Sequence, residues 1–153
     1  MAALTAEAAA EIGARAATVY DIIADYHVGH PSILPPRYFT GLQVERGGRG
    51  AGTIIRFGMK LLGRVTMARA EVAEPEPGRV LTETILDRRG MVTTFRVDPI
   101  GERRARVGIA TSWTARGIAG LVERLLVPRL LTRVYAAELA QLDEVARERE
   151  AGP

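Results

Sequence analysis

The sequence predicts an α+β domain, with a curved antiparallel sheet of about seven strands wrapped on one long C-terminal helix and two short helices between the first and second strands. Between residues 42 and 114, runs of alternating polarity are separated by turns too short to hold a crossover helix, which forces antiparallel neighbours. From Gly117 to Glu150, apolar residues recur at helical spacing. A length of 153 residues with 47% hydrophobic composition supplies one core, so residues 1–153 are read as a single domain.

The elements follow in chain order. Glu7 to Ile12 is short and Ala-rich, so local pattern leaves helix and strand open, and the context of a sheet makes it a strand. Val19, Ile22 and Ile23 share a helical face in a short helix from Ala16 to about Asp25, with Thr18 available as its cap. Pro31, Pro35 and Pro36 restrict the next segment to one brief helical turn between Pro31 and Leu34. Leu42 and Val44 alternate with polar residues ahead of the Gly47, Gly48, Gly50 turn. Thr53, Ile55, Phe57 and Met59 then form one apolar strand face. Arg64 to Glu74, Arg79 to Leu86, Met91 to Val97 and Ala105 to Thr114 complete the strands, with turns at Glu74–Gly78 and Asp87–Gly90. In the last of them Val107, Ile109, Thr111 and Trp113 share a face. The long helix carries Ile118, Leu121, Val122, Leu125 and Leu126 before Pro128, and Leu131, Val134, Tyr135, Leu139, Leu142 and Val145 after it. Proline removes a helix hydrogen bond, so a kink or break is expected at Pro128.

An antiparallel sheet with one apolar face needs a cover, and only the C-terminal helix is long enough to provide it. A sheet curving around a helix leaves space for a small apolar ligand. The order of elements, with GGRGAGT, EPEPGRVLTE, VTTFRVDP and GIAGLVERLLVPRLLTRVYAAEL, resembles the START-like helix-grip superfamily, also called SRPBCC or polyketide cyclase/dehydrase-like proteins. The resemblance spans about Glu7 to Arg147. It implies a helix-grip fold and a hydrophobic cavity that takes lipids, quinones, steroids, polyketides or similar molecules. These motifs are turns and packing faces, so they carry the fold and leave the ligand open.

Candidate ligand-binding residues are Ile55, Phe57, Met59, Phe95, Ile109 and Trp113 on the sheet, Val134 and Tyr135 on the helix, and Tyr20 and Tyr38, whose hydroxyls can donate while their rings pack. Candidates for proton transfer are His30, Glu83 and Glu138. The default reading of His30 is a loop histidine bonded to a backbone carbonyl; the functional one is a polar group at the pocket mouth. Glu83 shares a face with Leu81 and Ile85. By default it pairs across strands with an Arg such as Arg96; on the concave face it would instead meet the cavity, where desolvation favours acid–base work. Glu138 lies on the apolar stripe between Val134, Tyr135 and Leu142, and its default reading is a helix-edge ion pair.

No P-loop, GxSxG or HExxH motif is present, and His27 and His30 lack a carboxylate companion at metal-ligand spacing, so neither metal nor cofactor is expected. The absence of cysteine excludes disulfides, thiolate metal sites and a cysteine nucleophile. The first residues carry Glu7 and Glu11 without a basic region before an apolar run, and the longest uncharged stretch, Tyr26 to Pro36, is far short of the ~20 residues a membrane helix needs. A cytoplasmic protein is therefore expected. Basic residues exceed acidic ones by three, and all but Lys60 are Arg. Arg56, Lys60, Arg103, Arg104 and Arg106 are interleaved with acids, which favours a solvated surface over a ribosome- or RNA-binding one. The surplus apolar residues around Pro128 would suit either a gate or a homodimer contact. The expected function is binding of a small hydrophobic molecule, with a cyclase or dehydratase using His30, Glu83 or Glu138 as the enzymatic alternative.

Overall fold

The computed structural model describes residues 2–88, 90–115 and 117–152, with side chains except at 2, 115 and 117–123. The elements are β1 (Ala2–Ile12), α1 (Ala16–Ala24), α2 (Gly29–Ile33), β2 (Phe39–Arg46), β3 (Ile54–Leu61), β4 (Arg64–Glu76), β5 (Val80–Ile85), β6 (Val92–Gly101), β7 (Arg104–Ala115) and α3 (Gly117–Ala151). The strands form one antiparallel sheet in the order β1-β7-β6-β5-β4-β3-β2. Six of them follow as a meander, and β1 closes the far side against β7, with Leu4 opposite Trp113 and Ala8 opposite Ile109. With α3 laid across the concave side, this is the helix-grip fold.

Several boundaries differ from the sequence expectation. The Ala-rich start is a strand, and it begins at Ala2 because β7 offers a partner along its whole length. β4 and β6 run past Pro75 and Pro99; the register shifts at both points, and a bulge is where a residue without an N–H fits a strand. Thr18 does not cap α1, whose N-cap is Arg15; its hydroxyl donates instead to Glu150 Oε2 at 2.7 Å, tying α1 to the end of α3. Pro128 does not break α3, which is continuous through it.

The core lies between the concave face and α3. Ile55, Leu81, Phe95, Val107, Ile109 and Trp113 belong to one buried apolar cluster with Leu131, Val134, Leu139 and Leu142 of the helix. Full burial of such a side chain stabilises by roughly 1.5–3 kcal/mol. Ile118, Leu121 and Val122 lie outside the described side chains. Leu125 and Leu126, expected in the buried stripe, are exposed, while the next residue, Val127, packs against the core. Three consecutive helical positions about 100° apart cannot share one face. The basic side chains outside are interleaved with acids: Arg49 with Asp21 at 2.6 Å, Arg69 with Glu45 at 2.9 Å, Arg149 with Asp21 at 3.0 Å. Among the described residues no helix is long and apolar enough to cross a membrane.

Because α3 lies mainly along β1, with lesser contact to α2, β7 and α1, it leaves the concave face of β3 to β6 partly uncovered. The candidate site forms there.

Candidate functional site

The turn from α1 into α2 is built by Asp25. Its carboxylate accepts the backbone N–H groups of His27, Val28 and Gly29 at 3.1, 3.4 and 3.2 Å. Burial works to raise the Asp25 pKa, but these bonds and the Arg49 guanidinium outweigh it and hold the carboxyl below its usual range. Gly29 is required by close approach, since a Cβ there would stand 2.5 Å from the Ile22 carbonyl oxygen. This packing inserts His30 into the interior at 2% exposure.

The His30 ring is fixed on both sides. It stacks on Tyr26, with centroids 4.4 Å apart at 17°, and stands edge-on to Phe95 at 5.5 Å. Nδ1 lies 2.7 Å from the Ile23 carbonyl oxygen. A carbonyl only accepts, so Nδ1 carries the hydrogen and Nε2 is the variable atom. Nε2 faces Glu83 Oε1 at 3.5 Å. The carbonyl bond expected of His30 is present, but on a short buried helix rather than a loop.

Glu83 is 7% exposed and sits on the concave face opposite Thr93. It does not pair with Arg96, which is opposite Val80 on the other face and has Nη1 3.9 Å from Glu76 Oε2. The parity that Glu83 shares with buried Leu81 carries it inward, where Tyr26 donates its hydroxyl hydrogen to Oε1 at 2.6 Å. Burial, and then the Glu83 charge, push the Tyr26 phenol well above its ordinary value.

Glu138 projects from α3 toward the same group. It is 2% exposed, so the helix-edge ion pair is not formed, and its Oε2 has no hydrogen-bond partner. Burial first, and the Glu83 charge second, push its carboxyl well above the usual carboxylate range. One helical turn back, Tyr135 joins a hydroxyl chain: its OH bonds Thr111 Oγ1, which bonds Thr93 Oγ1 at 2.7 Å.

His30, Glu83, Thr93, Tyr135 and Glu138 border a cavity of about 60 Å³, with Tyr26 and Thr111 behind them. Of the expected residues, His30, Glu83, Glu138, Ile55, Phe57, Met59, Phe95 and Tyr135 line it. Ile109, Trp113 and Val134 do not; they are buried in the packed core beside it. Tyr20 also lies outside the lining, donating its hydroxyl to Glu74 Oε2 at 2.8 Å, with the Val80 carbonyl at 3.3 Å. Tyr38 is half-buried under the Arg37 guanidinium, 5.5 Å from the ring centre, and is likewise outside. Sequence reasoning missed Leu34, Phe39, Leu42 and Leu131, and Ile85, Met91 and Thr93. Alternation in β5 and β6 marks Ile85 and Thr93; nothing local marks Leu34. Among the described residues no group of three or more His, Asp or Glu is arranged to hold a metal ion.

A cavity with buried carboxyls under a helix grip is found together with a match over nearly the whole chain: residues 3–147 fit the family described as polyketide cyclase/dehydrase and lipid transport. The chain belongs to that family. No curated protein matches it. Among solved structures, the KanY protein in solution shares 29% identity and a TM-score of 0.81, over 96% of this chain and 99% of that one. The ZhuI aromatase/cyclase from Streptomyces sp. R1128 is 19% identical with a TM-score of 0.78, over 97% and 96%. A START superfamily protein from Mycobacterium smegmatis is 14% identical with a TM-score of 0.71, over 94% and 97%. The last two likenesses show that this polyketide cyclase/dehydrase family member shares their fold.

Proposed function

We propose that the protein binds a small hydrophobic molecule between the sheet and α3, with the single polar group of the ligand meeting Glu138. One observation carries this reading: Glu138, whose Oε2 is buried without a partner, lines a cavity walled mainly by apolar side chains. An unpaired buried polar atom costs about 1–3 kcal/mol, and a ligand atom in the cavity removes that cost. The ZhuI protein's name, aromatase/cyclase, supports a ring-forming hydrophobic ligand class. At about 60 Å³ the cavity is below the ~300–1,000 Å³ of pockets for drug-sized ligands, so a large ligand must displace side chains such as Met59 and Met91. In this reading the protein acts in the cytoplasm and needs no cofactor.

Native mass spectrometry of the purified chain, followed by a panel of lipophiles, tests it. Retention of a bound small molecule, or binding that Glu138→Gln weakens, supports the reading. No binding from any source overturns it.

An enzymatic reading is favoured by a second observation. His30 Nε2 is held toward Glu83, while Glu138, its carboxyl pushed well above the usual carboxylate range, stands on the same cavity. One side can take a proton from a carbon next to a carbonyl and the other can give one to oxygen, which is what cyclisation followed by dehydration requires. Replacing His30, Glu83 and Glu138 together by Gln without loss of turnover would remove this assignment.

A further inference from the structure

The charge of the cavity is opposite to that of the chain. Lys and Arg number 21 against 18 Asp and Glu. Yet among the described residues no Lys or Arg lines the cavity, whereas Glu83 and Glu138 both do. The rest of the wall includes the rings of Phe39, Phe57 and Phe95 and the thioethers of Met59 and Met91. The protein itself supplies partners for Glu83, through the Tyr26 hydroxyl and the His30 ring. It supplies none for Glu138 Oε2, which is buried on a residue that lines the cavity.

Three kinds of ligand can be compared on that wall. An anion meets two carboxyl groups with no lysine or arginine to offset its charge. A neutral molecule leaves the site with at most one ionised carboxyl, because two close carboxylates repel. A cation lets both ionise, and aromatic faces accept its apolar body and part of its charge. We infer that the ligand is a small hydrophobic amine, bound as the ammonium ion with N–H directed at Glu138 Oε2 and its apolar part against Phe57 and Phe95. The inference rests on the binding reading above and specifies the ligand class.

Proton movement makes this ligand class distinguishable. The titratable groups around Glu138 are Glu83 on β5, Tyr26 and His30 from the α1–α2 segment, and Tyr135 on α3. Burial and the Glu83 charge raise the Glu138 carboxyl well above the usual carboxylate range, which favours its protonated form in the empty cavity. When an ammonium ion enters, Glu138 releases its proton to solvent, the ammonium keeps its own, and the charge inside is unchanged. A neutral ligand releases none.

Titration calorimetry of the full chain with 2-phenylethylamine, 2-phenylethanol and phenylacetate, at neutral pH in buffers of differing ionisation enthalpy, tests the inference. The amine should bind about tenfold or more tightly than the alcohol, and phenylacetate should not bind. Only the amine should show an apparent enthalpy that varies with the buffer. Glu138→Gln should remove both the preference and the proton release. If the alcohol or phenylacetate binds as well as the amine, the amine assignment falls and the cavity-binding reading stands. If the amine binds best without proton release by the unmodified protein, the Glu138 contact is overturned, a result that needs no variant to fold. If none of the three binds at millimolar concentration, the amine assignment falls, and native mass spectrometry with the lipophile panel decides the cavity-binding reading separately.

Discussion

Tyr26 reaches across the fold to Glu83, its hydroxyl donating to Oε1 at 2.6 Å between residues 57 positions apart. The phenol comes from the turn after α1 and the carboxylate from β5, so this bond fixes the helical segment to the sheet at the edge of the cavity. Tyr26→Phe keeps the ring on His30 and removes only the donor. We expect a loss of about 1.5–3 kcal/mol, the range for a buried bond to a charged group, read from urea unfolding. An unchanged midpoint would mean that water replaces the hydroxyl.

The buried carboxyl of Glu138 makes stability depend on pH in a defined direction. Its folded pKa is raised by burial and by Glu83, so between the ordinary glutamate range and that raised value the folded state holds more protons than the unfolded one. Stability contributed by this group is therefore lost as pH rises through that window, and below the ordinary range the difference disappears. The unfolding free energy of the wild-type protein, from urea titration, should fall relative to that of Glu138→Gln as pH rises above the ordinary glutamate range, at up to ~1.4 kcal/mol per pH unit. Parallel curves would show that Glu138 ionises in the folded chain as it does in water.

Gly29 allows α2 to touch α1. A methyl group there would stand 2.5 Å from Ile22 O and 2.9 Å from Ile22 Cα, backbone atoms that cannot swing aside. Gly29→Ala should cost about 1–3 kcal/mol in thermal or urea unfolding and shift the imidazole resonances of His30, the next residue. A stable variant with unmoved resonances would show that the helix pair has slack.

The Thr93–Thr111–Tyr135 hydroxyl chain is buried, and its middle member has partners on both sides. Thr111→Val preserves shape and removes both bonds. The expected loss is about 1–3 kcal/mol, because two hydroxyls are left to find new partners in an apolar setting. Denaturant titration checks it, and the double variant Thr111→Val with Tyr135→Phe should recover part of the loss by removing one orphan.

How far the site was legible in the sequence depends on where each residue's partners come from. Phe57 and Phe95 are readable from their own strands, since alternation marks a buried face. Glu83 has the same parity as Leu81, yet a carboxylate among apolar residues usually signals a surface pair, and nothing in β5 announces the partners that draw it inward. Those partners, Tyr26 and His30, come from a proline-rich segment that reads as a connector. Tyr20 shows the converse error: a tyrosine's ring and hydroxyl suit a pocket, but chain position sends this one to Glu74. The sheet and α3 were legible because periodicity is a property of a segment; the depth of one polar side chain is a property of what is brought against it from elsewhere.

The sheet order has a consequence for how the chain reaches this state. β3 through β7 are each laid beside the strand before, so hairpins of short loop length can assemble them as synthesis proceeds. β1 cannot take part, because its neighbour β7 lies near the other end of the chain. The first strand made therefore waits longest for its ladder, and α3, which rests mainly on β1, waits with it. Closing the two chain ends carries the largest loop-closure entropy of any strand pairing in the sheet, and until it occurs the Ala-rich first strand is an unpaired edge open to capture by another copy of itself.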